Sequence, residues 1–369
     1  MGSENRGVGA QEGGECTGAG SRWGAGLLLH TFIERGFRLR DMDRSELESR
    51  IEELTGRPAK SPLEVVTDTT AFMNIWGGHV IYLADRFFLV VREMREGRFG
   101  IDDQPKFWVK KALDLESGEE KILKLAFHEE FSIRIGLLRM RSYRDPLKEE
   151  ALLEVVRGDT RFMQGWTAKD ECGNPVRVID FIRGSNLYKY LGDLEMDHRT
   201  YFHTVFPEIL DRLVGSFEAI AMIHERGYHH GDIRNDHLLI DSQTGEFRWI
   251  DFDFSQDIPD YDVWSLGNIL LYAVGKGEHT FHEVDAGRLQ LAPGAELTQQ
   301  DASAFFVHRI MNLAKFFPWI PPELSDILMR FSYGTQIFYE TVKELLDDLR
   351  PVVQSLMNQA EKWEVKTEP

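Results

Sequence analysis

Two aspartates lie near each other in the second half of the chain, in positions that suit metal-assisted chemistry. Asp232 stands in the run His-His-Gly-Asp-Ile-Arg-Asn-Asp-His at residues 229–237, and Asp251 follows in Trp-Ile-Asp-Phe-Asp at 249–253. Transfer of a phosphoryl group needs one carboxylate to orient the attacking hydroxyl and a second to hold Mg²⁺ against the phosphates. Asp232 is therefore a candidate for the first role and Asp251 for the second.

The elements that must position these acids differ between the two halves of the chain. Short runs of β-branched and aromatic residues, separated by turn residues, predict strands at 80–83, 87–91, 107–113, 121–125, 162–167 and 176–181. A helix is predicted around 147–156, and from Thr200 onward apolar residues recur every three or four positions, which indicates amphipathic helices. Segregated strands and helices indicate an α+β fold with two lobes and a cleft between them.

The segment before the first strands predicts one capped helix. Ser45 and Glu48 form a capping-box pattern at the start of a helix over 45–54, and Gly56 follows its end. Residues 1–26 are rich in glycine and lack both a basic leader and an apolar core, so they are predicted to be disordered.

Composition narrows the classes of partner. The 369 residues carry a formal net charge of −18 without a long basic run, which argues against nucleic acids and anionic membrane surfaces as partners. The most apolar stretches, at 87–91 and 266–274, are much shorter than the roughly 20 residues that cross a bilayer. Cys16 and Cys172 lie far apart and outside any metal-binding spacing, so two reduced thiols and a cytoplasmic location are expected.

The motifs around the two aspartates resemble those of the protein kinase-like superfamily. His230-Gly231-Asp232 stands where protein kinases have His-Arg-Asp, and Asp251-Phe252-Asp253 where they have Asp-Phe-Gly. The glycine at the middle position also resembles aminoglycoside and choline kinases. Residues 219–227 resemble the helix that leads into the kinase catalytic loop, and 262–267 resemble the family's Asp-x-Trp-Ser-x-Gly helix start. The resemblance covers roughly residues 85 to 350 and is closest to bacterial serine/threonine protein kinases.

This resemblance implies an ATP site in the first lobe. Gly97 and Gly100 are similar to the second and third glycines of a phosphate-covering loop, with Arg95 in place of the first and residues 101–107 inserted after it. The ATP-pairing lysine would be Lys124. Its helix partner would be Glu149, with Glu150 as the alternative. The hinge would bind adenine through the carbonyl of Asp180 and the amide of Ile182. Implied domains are a tail at 1–44, an ATP-binding lobe at 45–182, a catalytic lobe at 183–350 and a tail at 351–369.

Two positions near the acids depart from the family pattern. His237 replaces the asparagine that holds a second Mg²⁺, and imidazole is a poor ligand for this hard cation. Either Asn235 or Asp236 substitutes for it, or one metal binds, or none binds productively. Asp253 adds a third carboxylate, so Asp251, His237 and Asp253 are the candidate metal residues. Arg234, Asp232, Lys124 and Glu149 are the candidate catalytic residues.

The activation segment is also unusually short. Asp251 and Asp262 are separated by eleven positions, no Ala-Pro-Glu is present, and Gly231 replaces the arginine that would read a phosphorylated loop. We therefore expect a constitutive geometry without control by phosphorylation of this segment.

The resemblance implies a phosphotransferase that uses ATP and Mg²⁺ and passes the γ-phosphate to a hydroxyl group. A serine/threonine protein kinase-like activity is the first interpretation, and a kinase acting on a small molecule is the second. A pseudokinase that binds or scaffolds without catalysis is the third. The partners expected are ATP and a protein or small-molecule hydroxyl acceptor, without nucleic acid or membrane.

Overall fold

The computed structural model describes residues 42–367, apart from 99–100, 136–137, 257 and 259. These residues form two compact units. The first, which we call the sheet unit, comprises residues 42–129 and 164–181, and the second, which we call the helical unit, comprises residues 130–163 and 182–367. The chain passes from one unit to the other at residues 129–130, 163–164 and 181–182.

The sheet unit is built around one seven-stranded sheet in the order β1-β2-β3-β4-β5-β9-β8. Its pairs are antiparallel except for β1 and β2. The elements are helix α1 (Arg44–Thr55), the 3₁₀ turn Phe72–Asn74, and strands β1 (Val65–Val66), β2 (Val80–Leu83), β3 (Arg86–Arg98), β4 (Ile101–Asp114), β5 (Glu120–Lys124), β8 (Gly165–Lys169) and β9 (Pro175–Asp180).

Two apolar clusters bury the sheet and the first helix. Alternate residues of the central strands, including Phe88, Ala112 and Leu123, form one cluster, as expected for strands whose side chains alternate between faces. Leu47 and Ile51 of α1 pack into the other cluster. Helix α1 is thus anchored by residues four positions apart, which lie on one face of a helix.

Two details of this unit correct the sequence predictions. Helix α1 begins earlier than predicted, because Asp43 is the N-cap and forms the capping box with Glu46. Gly56 ends the helix as predicted, with a φ of 67°. Strand β4 begins at Ile101 rather than near residue 107, so residues 101–107, which were predicted to be inserted relative to the family pattern, pair with β3. The two strands form one long hairpin with irregularities in register.

The helical unit contains two small sheets, in the orders β13-β7-β6 and β10-β11-β12. Its strands are β6 (Glu130–Ile135), β7 (Leu138–Arg144), β10 (Gly184–Asn186), β11 (Leu238–Asp241), β12 (Phe247–Trp249) and β13 (Phe254–Gln256). Its helices are α2 (Pro146–Val155), α3 (Leu187–Gly192), α4 (His198–Thr204), α5 (Phe206–Glu225), α6 (Tyr261–Gly275), α7 (Phe281–Asp285), α8 (Pro322–Met329) and α9 (Val342–Thr367), with 3₁₀ turns at Asn235–His237, Gln299–Asp301 and Leu313–Lys315.

The long helix α5 carries the core of the helical unit. The six residues whose spacing predicted an amphipathic helix are all buried: Phe206, Ile209, Leu213, Phe217, Ile220 and Ile223. Helix α9 packs against α5. The α+β class with a strand-rich first part and a helical second part is therefore confirmed.

Within the described residues, no helix combines the length and the apolar character that a membrane crossing requires. Cys172 lies in the turn between β8 and β9. Cys16, the other cysteine of the chain, lies outside the described residues.

Candidate active site

The loop that carries Asp232 is held between the end of α5 and the β11–β12 hairpin. Leu238 and Trp249 pair in register across that hairpin, and both side chains are fully buried. The 3₁₀ turn Asn235–His237 precedes β11, and the amide of Ile250 donates to the carbonyl of His237 at 3.0 Å. This pairing brings the chain around Asp251 alongside the loop that carries Asp232.

His237 lies between the two candidate acids. Its Nδ1 is 2.8 Å from the backbone carbonyl oxygen of Asp232 and 3.5 Å from the carboxylate Oδ2 of the same residue. Its Nε2 is 3.7 Å from Oδ2 of Asp251. Because a carbonyl oxygen only accepts, Nδ1 carries a proton in this arrangement. The imidazole is 3% exposed, whereas the carboxylates are 13% and 14% exposed, so the acids reach solvent where the ring does not.

The other two candidates for an oxygen ligand in this loop differ in their contacts. Asp236 is held by the guanidinium of Arg234, whose Nε donates to Oδ1 at 2.9 Å and whose Nη2 donates to Oδ2. The amide oxygen of Asn235 is buried and accepts no hydrogen bond from the described residues. Of the two substitutes considered from the sequence, Asn235 is therefore the one with an available oxygen.

Asp251 and Asp253 have different surroundings although they are two residues apart. Asp251 has a φ of 60°, a left-handed conformation that costs a non-glycine residue about 1 kcal/mol or more. Asp253 is fully buried and forms an ion pair with Arg144, the last residue of β7. The backbone carbonyl of Asp253 also accepts from the amide of Asp145 at 2.7 Å. Asp253 thus fixes the segment after Asp251 to the junction between β7 and α2.

Lys148 of α2 binds the same segment from another side. Its ammonium donates to the carbonyl of His230 at 2.9 Å and to the carbonyl of Phe254. Burial lowers the pKa of Lys148, and the carboxylates of Asp262 and Asp253 oppose that shift. Gly231 has a φ of 82°, and a Cβ there would overlap the carbonyl of Phe254. The glycine therefore allows the catalytic loop to approach Phe254 closely.

The residues after Phe254 form an edge strand. Strand β13 pairs antiparallel with β7, where Phe254 lies opposite Arg144 and Gln256 opposite Ser142. The side chain of Gln256 donates to the carbonyl of Gly231 at 3.0 Å. This short segment is therefore held by its pairing with β7 and by the side chains of Gln256 and Lys148.

Asp262 and His230 hold the backbone around Gly231 and pack beneath it. Asp262 accepts from the amides of His230 and Gly231 at 2.7 and 2.8 Å. His230 packs edge-on against the rings of Trp249 and Phe252. Burial lowers the pKa of His230 to about 3.

Glu149, one residue beyond Lys148, is completely buried on α2. Leu152, Leu153 and Val156 are buried on the same helix or at its end, and Glu150 is only partly buried. This pattern agrees with the inward face predicted from the sequence and favours Glu149 over Glu150.

Two residues predicted to contact the nucleotide, Lys124 and Asp180, lie at the ends of strands in the sheet unit. Lys124 ends β5, is 3% exposed and lies opposite Arg177 of β9. Asp180 ends β9, and its carboxylate accepts from Lys121 at 2.8 Å. Gly97 lies within β3, whereas Gly100 lies outside the described residues. Ile182, the other predicted adenine contact, belongs to the helical unit and follows this strand.

The donor set around Asp251 suits one Mg²⁺ ion. Mg²⁺ is bound through oxygen in near-octahedral geometry and retains several waters, so one or two protein oxygens suffice. The carboxylate of Asp251 is an oxygen donor that is partly exposed, whereas His237 beside it offers only nitrogen. The residues present fit a single ion better than a pair.

Sequence reasoning missed three groups that support this site. Arg144 and Lys148 lie far from Asp232 in the chain, and the β6–β7 hairpin was not predicted as a sheet. The alternation in Phe-Ser-Ile-Arg-Ile at 131–135 was a usable strand signal. No local signal marks Arg144 and Lys148, since their partners are carbonyls and a carboxylate brought near by folding.

Comparison with known proteins found one kind of similarity. No family model matches the chain, and no curated protein matches its sequence. Among solved structures, the kinase domain of PknI from Mycobacterium tuberculosis is similar, with 12% sequence identity and a TM-score of 0.42 over 73% of this chain and 97% of that chain. Similarity at this level supports no statement about activity, substrate or cofactor.

Proposed function

We propose that this protein is an ATP-dependent phosphotransferase that transfers the γ-phosphate to a hydroxyl acceptor. The observation that supports this most is the position of His237 between Asp232 and Asp251, with its two nitrogens 3.5 and 3.7 Å from their carboxylates. The loop thus places Asp232 and Asp251 on either side of the His237 imidazole, and both carboxylates are partly exposed to solvent.

Each residue has a defined role in this proposal. Asp232 orients the acceptor hydroxyl and receives its proton as transfer proceeds. Asp251 holds Mg²⁺, which would neutralise charge on the phosphates when bound. Lys124 pairs with the phosphates, and Glu149 is the proposed partner of that lysine.

Three other candidates position neighbouring groups and take no direct part in phosphoryl transfer: Arg234, Asp253 and His237. Arg234 binds Asp236, and Asp253 binds Arg144. His237, when protonated, places one positive charge between the two acids and so reduces their mutual repulsion. A second metal is not needed for that purpose, which is the reason we propose a single Mg²⁺.

The buried charges weigh against the pseudokinase alternative. Lys124 and Glu149 are 3% and 0% exposed, and a charged side chain is costly to bury unless its surroundings compensate the lost hydration, so both positions are specialised for their charge. A purely structural role for either residue is the competing explanation, and an assay of phosphoryl transfer separates the two.

The deciding experiment measures Mg²⁺-dependent transfer from labelled ATP by the full chain. Asp232→Asn and Asp251→Asn are the test variants, and Asp211→Asn on the outer part of α5 is the control. Transfer in the parent and the control that disappears in both test variants supports the proposal. Nucleotide binding with no transfer to any acceptor in the panel would replace it with the pseudokinase interpretation.

The acceptor panel should contain both protein and small-molecule hydroxyls. The segment between Asp251 and Asp262 is short, and three of its residues are paired as β13. Long docking segments that position a peptide have little room here, which favours a small hydroxylated acceptor. Resemblance to serine/threonine kinases favours a protein, so both arms are needed.

A further inference from the structure

We propose that His224, His229 and Asp262 form a binding site for a divalent transition-metal ion such as Zn²⁺, separate from the Mg²⁺ site at Asp251. Their ligating atoms all lie within 4.8 Å of one another. The three residues come from the last turn of α5, the chain before Asp232 and the first turn of α6. An ion bound to them would join these three segments.

Of the two distances to the Asp262 carboxylate, one is shorter and the other longer than the distance between two ligands of a zinc ion. Nε2 of His224 is 2.9 Å from Oδ2 of Asp262, and Nδ1 of His229 is 4.0 Å from the same oxygen. Ligands about 2.0–2.2 Å from a tetrahedral zinc are separated from each other by roughly 3.3–3.6 Å. To complete the geometry, Nε2 of His224 would move about 0.5 Å away from Oδ2 of Asp262, and Nδ1 of His229 would move toward that oxygen by a similar distance.

His229 has the freedom to make that shift. Its side chain is 55% exposed, whereas those of His224 and Asp262 are 19% and 1% exposed. The site thus has a buried carboxylate, a partly buried imidazole and an exposed imidazole on the solvent side. A fourth position facing water remains for a solvent ligand, as in open zinc sites.

A structural hydrogen bond explains His224 but does not explain His229. Asp262 already accepts from the amides of His230 and Gly231, and His224 completes its shell. The second imidazole faces the same carboxylate oxygen beyond hydrogen-bond distance, with the two rings 4.6 Å apart at 54°. Two neutral imidazoles and one carboxylate are a common ligand set for zinc.

Metal binding requires an exchange of one proton position. The hydrogen that Nε2 of His224 donates to Asp262 must leave that nitrogen when the metal takes its place. A neutral ring then carries its proton on Nδ1 instead, whereas an imidazolium ring keeps the Nδ1 proton and releases the Nε2 proton to solvent. No oxidation or reduction is involved. The carboxylate keeps its bonds to the backbone amides through its second oxygen and the remaining lone pairs.

The test uses the full chain stripped of metal and titrated with Zn²⁺ by calorimetry, with Co²⁺ absorption to report ligand geometry. His229→Ala is the test variant, because the side chain is exposed and its loss should not unfold the protein. His282→Ala, at an exposed histidine of α7, is the matched control. Asp251→Asn serves as a second control that disables the proposed Mg²⁺ site alone.

We expect one Zn²⁺ per chain in the parent, His282→Ala and Asp251→Asn, with affinity at least about tenfold weaker in His229→Ala. The parent should also melt at a higher temperature with Zn²⁺ than without, and His229→Ala should lose that difference. Equal affinity in His229→Ala, or no binding in the parent, would overturn the site. Because nucleotide is absent throughout, neither result depends on the proposed transferase activity.

Discussion

Arg144 and Asp253 form an ion pair in which both side chains are almost completely buried, at 2% and 0% exposure. The pair joins the end of β7 to the residue two positions after Asp251. The guanidinium also lies over the ring of Phe254, 4.2 Å from its centroid. Asp253 therefore has a positioning role that needs its carboxylate.

Asp253→Asn should destabilise the protein by about 3–5 kcal/mol, because it leaves the buried charge of Arg144 uncompensated. The exposed pair Arg141–Glu130 in the same sheet provides the control, and Glu130→Gln should cost much less stability because water screens this pair. Urea denaturation followed by circular dichroism measures both. Equal losses in the two variants would mean that burial does not set the strength of the pair.

Gly231→Ala should destabilise the catalytic loop strongly. The new Cβ would overlap the carbonyl of Phe254, and the φ of 82° adds a conformational cost of about 1–2 kcal/mol. Gly215→Ala is the control, since nothing lies within 4 Å of its Cβ position. Gly215 lies inside α5, where alanine should add about 0.5–1 kcal/mol of stability. A Gly231→Ala variant as stable as the parent would show that the loop does not need this close approach.

Lys148→Met should loosen β13 while keeping the apolar stem of the side chain. The carbonyls of His230 and Phe254 lose their shared donor, at a cost of about 1–3 kcal/mol. Hydrogen exchange of the Phe254–Gln256 amides should accelerate, whereas Lys189→Met, at an exposed lysine of α3, should leave it unchanged. Unchanged exchange in Lys148→Met would remove this lysine from the positioning of the segment.

His237→Asn should create a second site for a hard divalent cation. The imidazole that faces both acids is replaced by an amide oxygen, which Mg²⁺ and Mn²⁺ accept as a ligand. Counting Mn²⁺ ions by electron paramagnetic resonance with a non-hydrolysable ATP analogue should give one ion per chain in the parent and two in the variant. Two ions in the parent would contradict the single-metal proposal, and the count requires no turnover.

Stability should fall as the pH decreases from about 6.5 toward 3, partly through His230. Burial lowers its pKa to about 3, so the folded protein keeps the ring neutral while the unfolded chain takes up a proton below its ordinary value of 6.5. Between pH 7 and 5 this residue alone should cost roughly 2 kcal/mol of unfolding free energy. His230→Asn should reduce the pH dependence by that amount, and His282→Asn should not. Parallel pH profiles for His230→Asn and the parent would assign the acid sensitivity elsewhere.

The motif order and most elements could be predicted from the sequence, because both depend on neighbours along the chain. Periodicity located α2 and α5 and the strands from β2 to β5, since burial of one face imposes a period of 3.6 or 2 on the residues. The loop containing Asp232 and the position of Asp251 followed from adjacent motif residues. Predictions of element ends, such as the start of α1 and the start of β4, were less accurate.

Tertiary structure decided which partner each charged group has. Asp253 appeared to be a third metal ligand from its place in the motif, but Arg144 lies 109 residues away and binds it. Lys148 donates to a carbonyl 82 residues away, and His224 lies 38 residues from Asp262. Such contacts form when strands and helices pack. Every residue has a backbone carbonyl, so the sequence does not indicate which carbonyl will accept a hydrogen bond. The sequence alone therefore determined which acids were available for chemistry, and packing determined which of them bind protein groups and which still reach solvent.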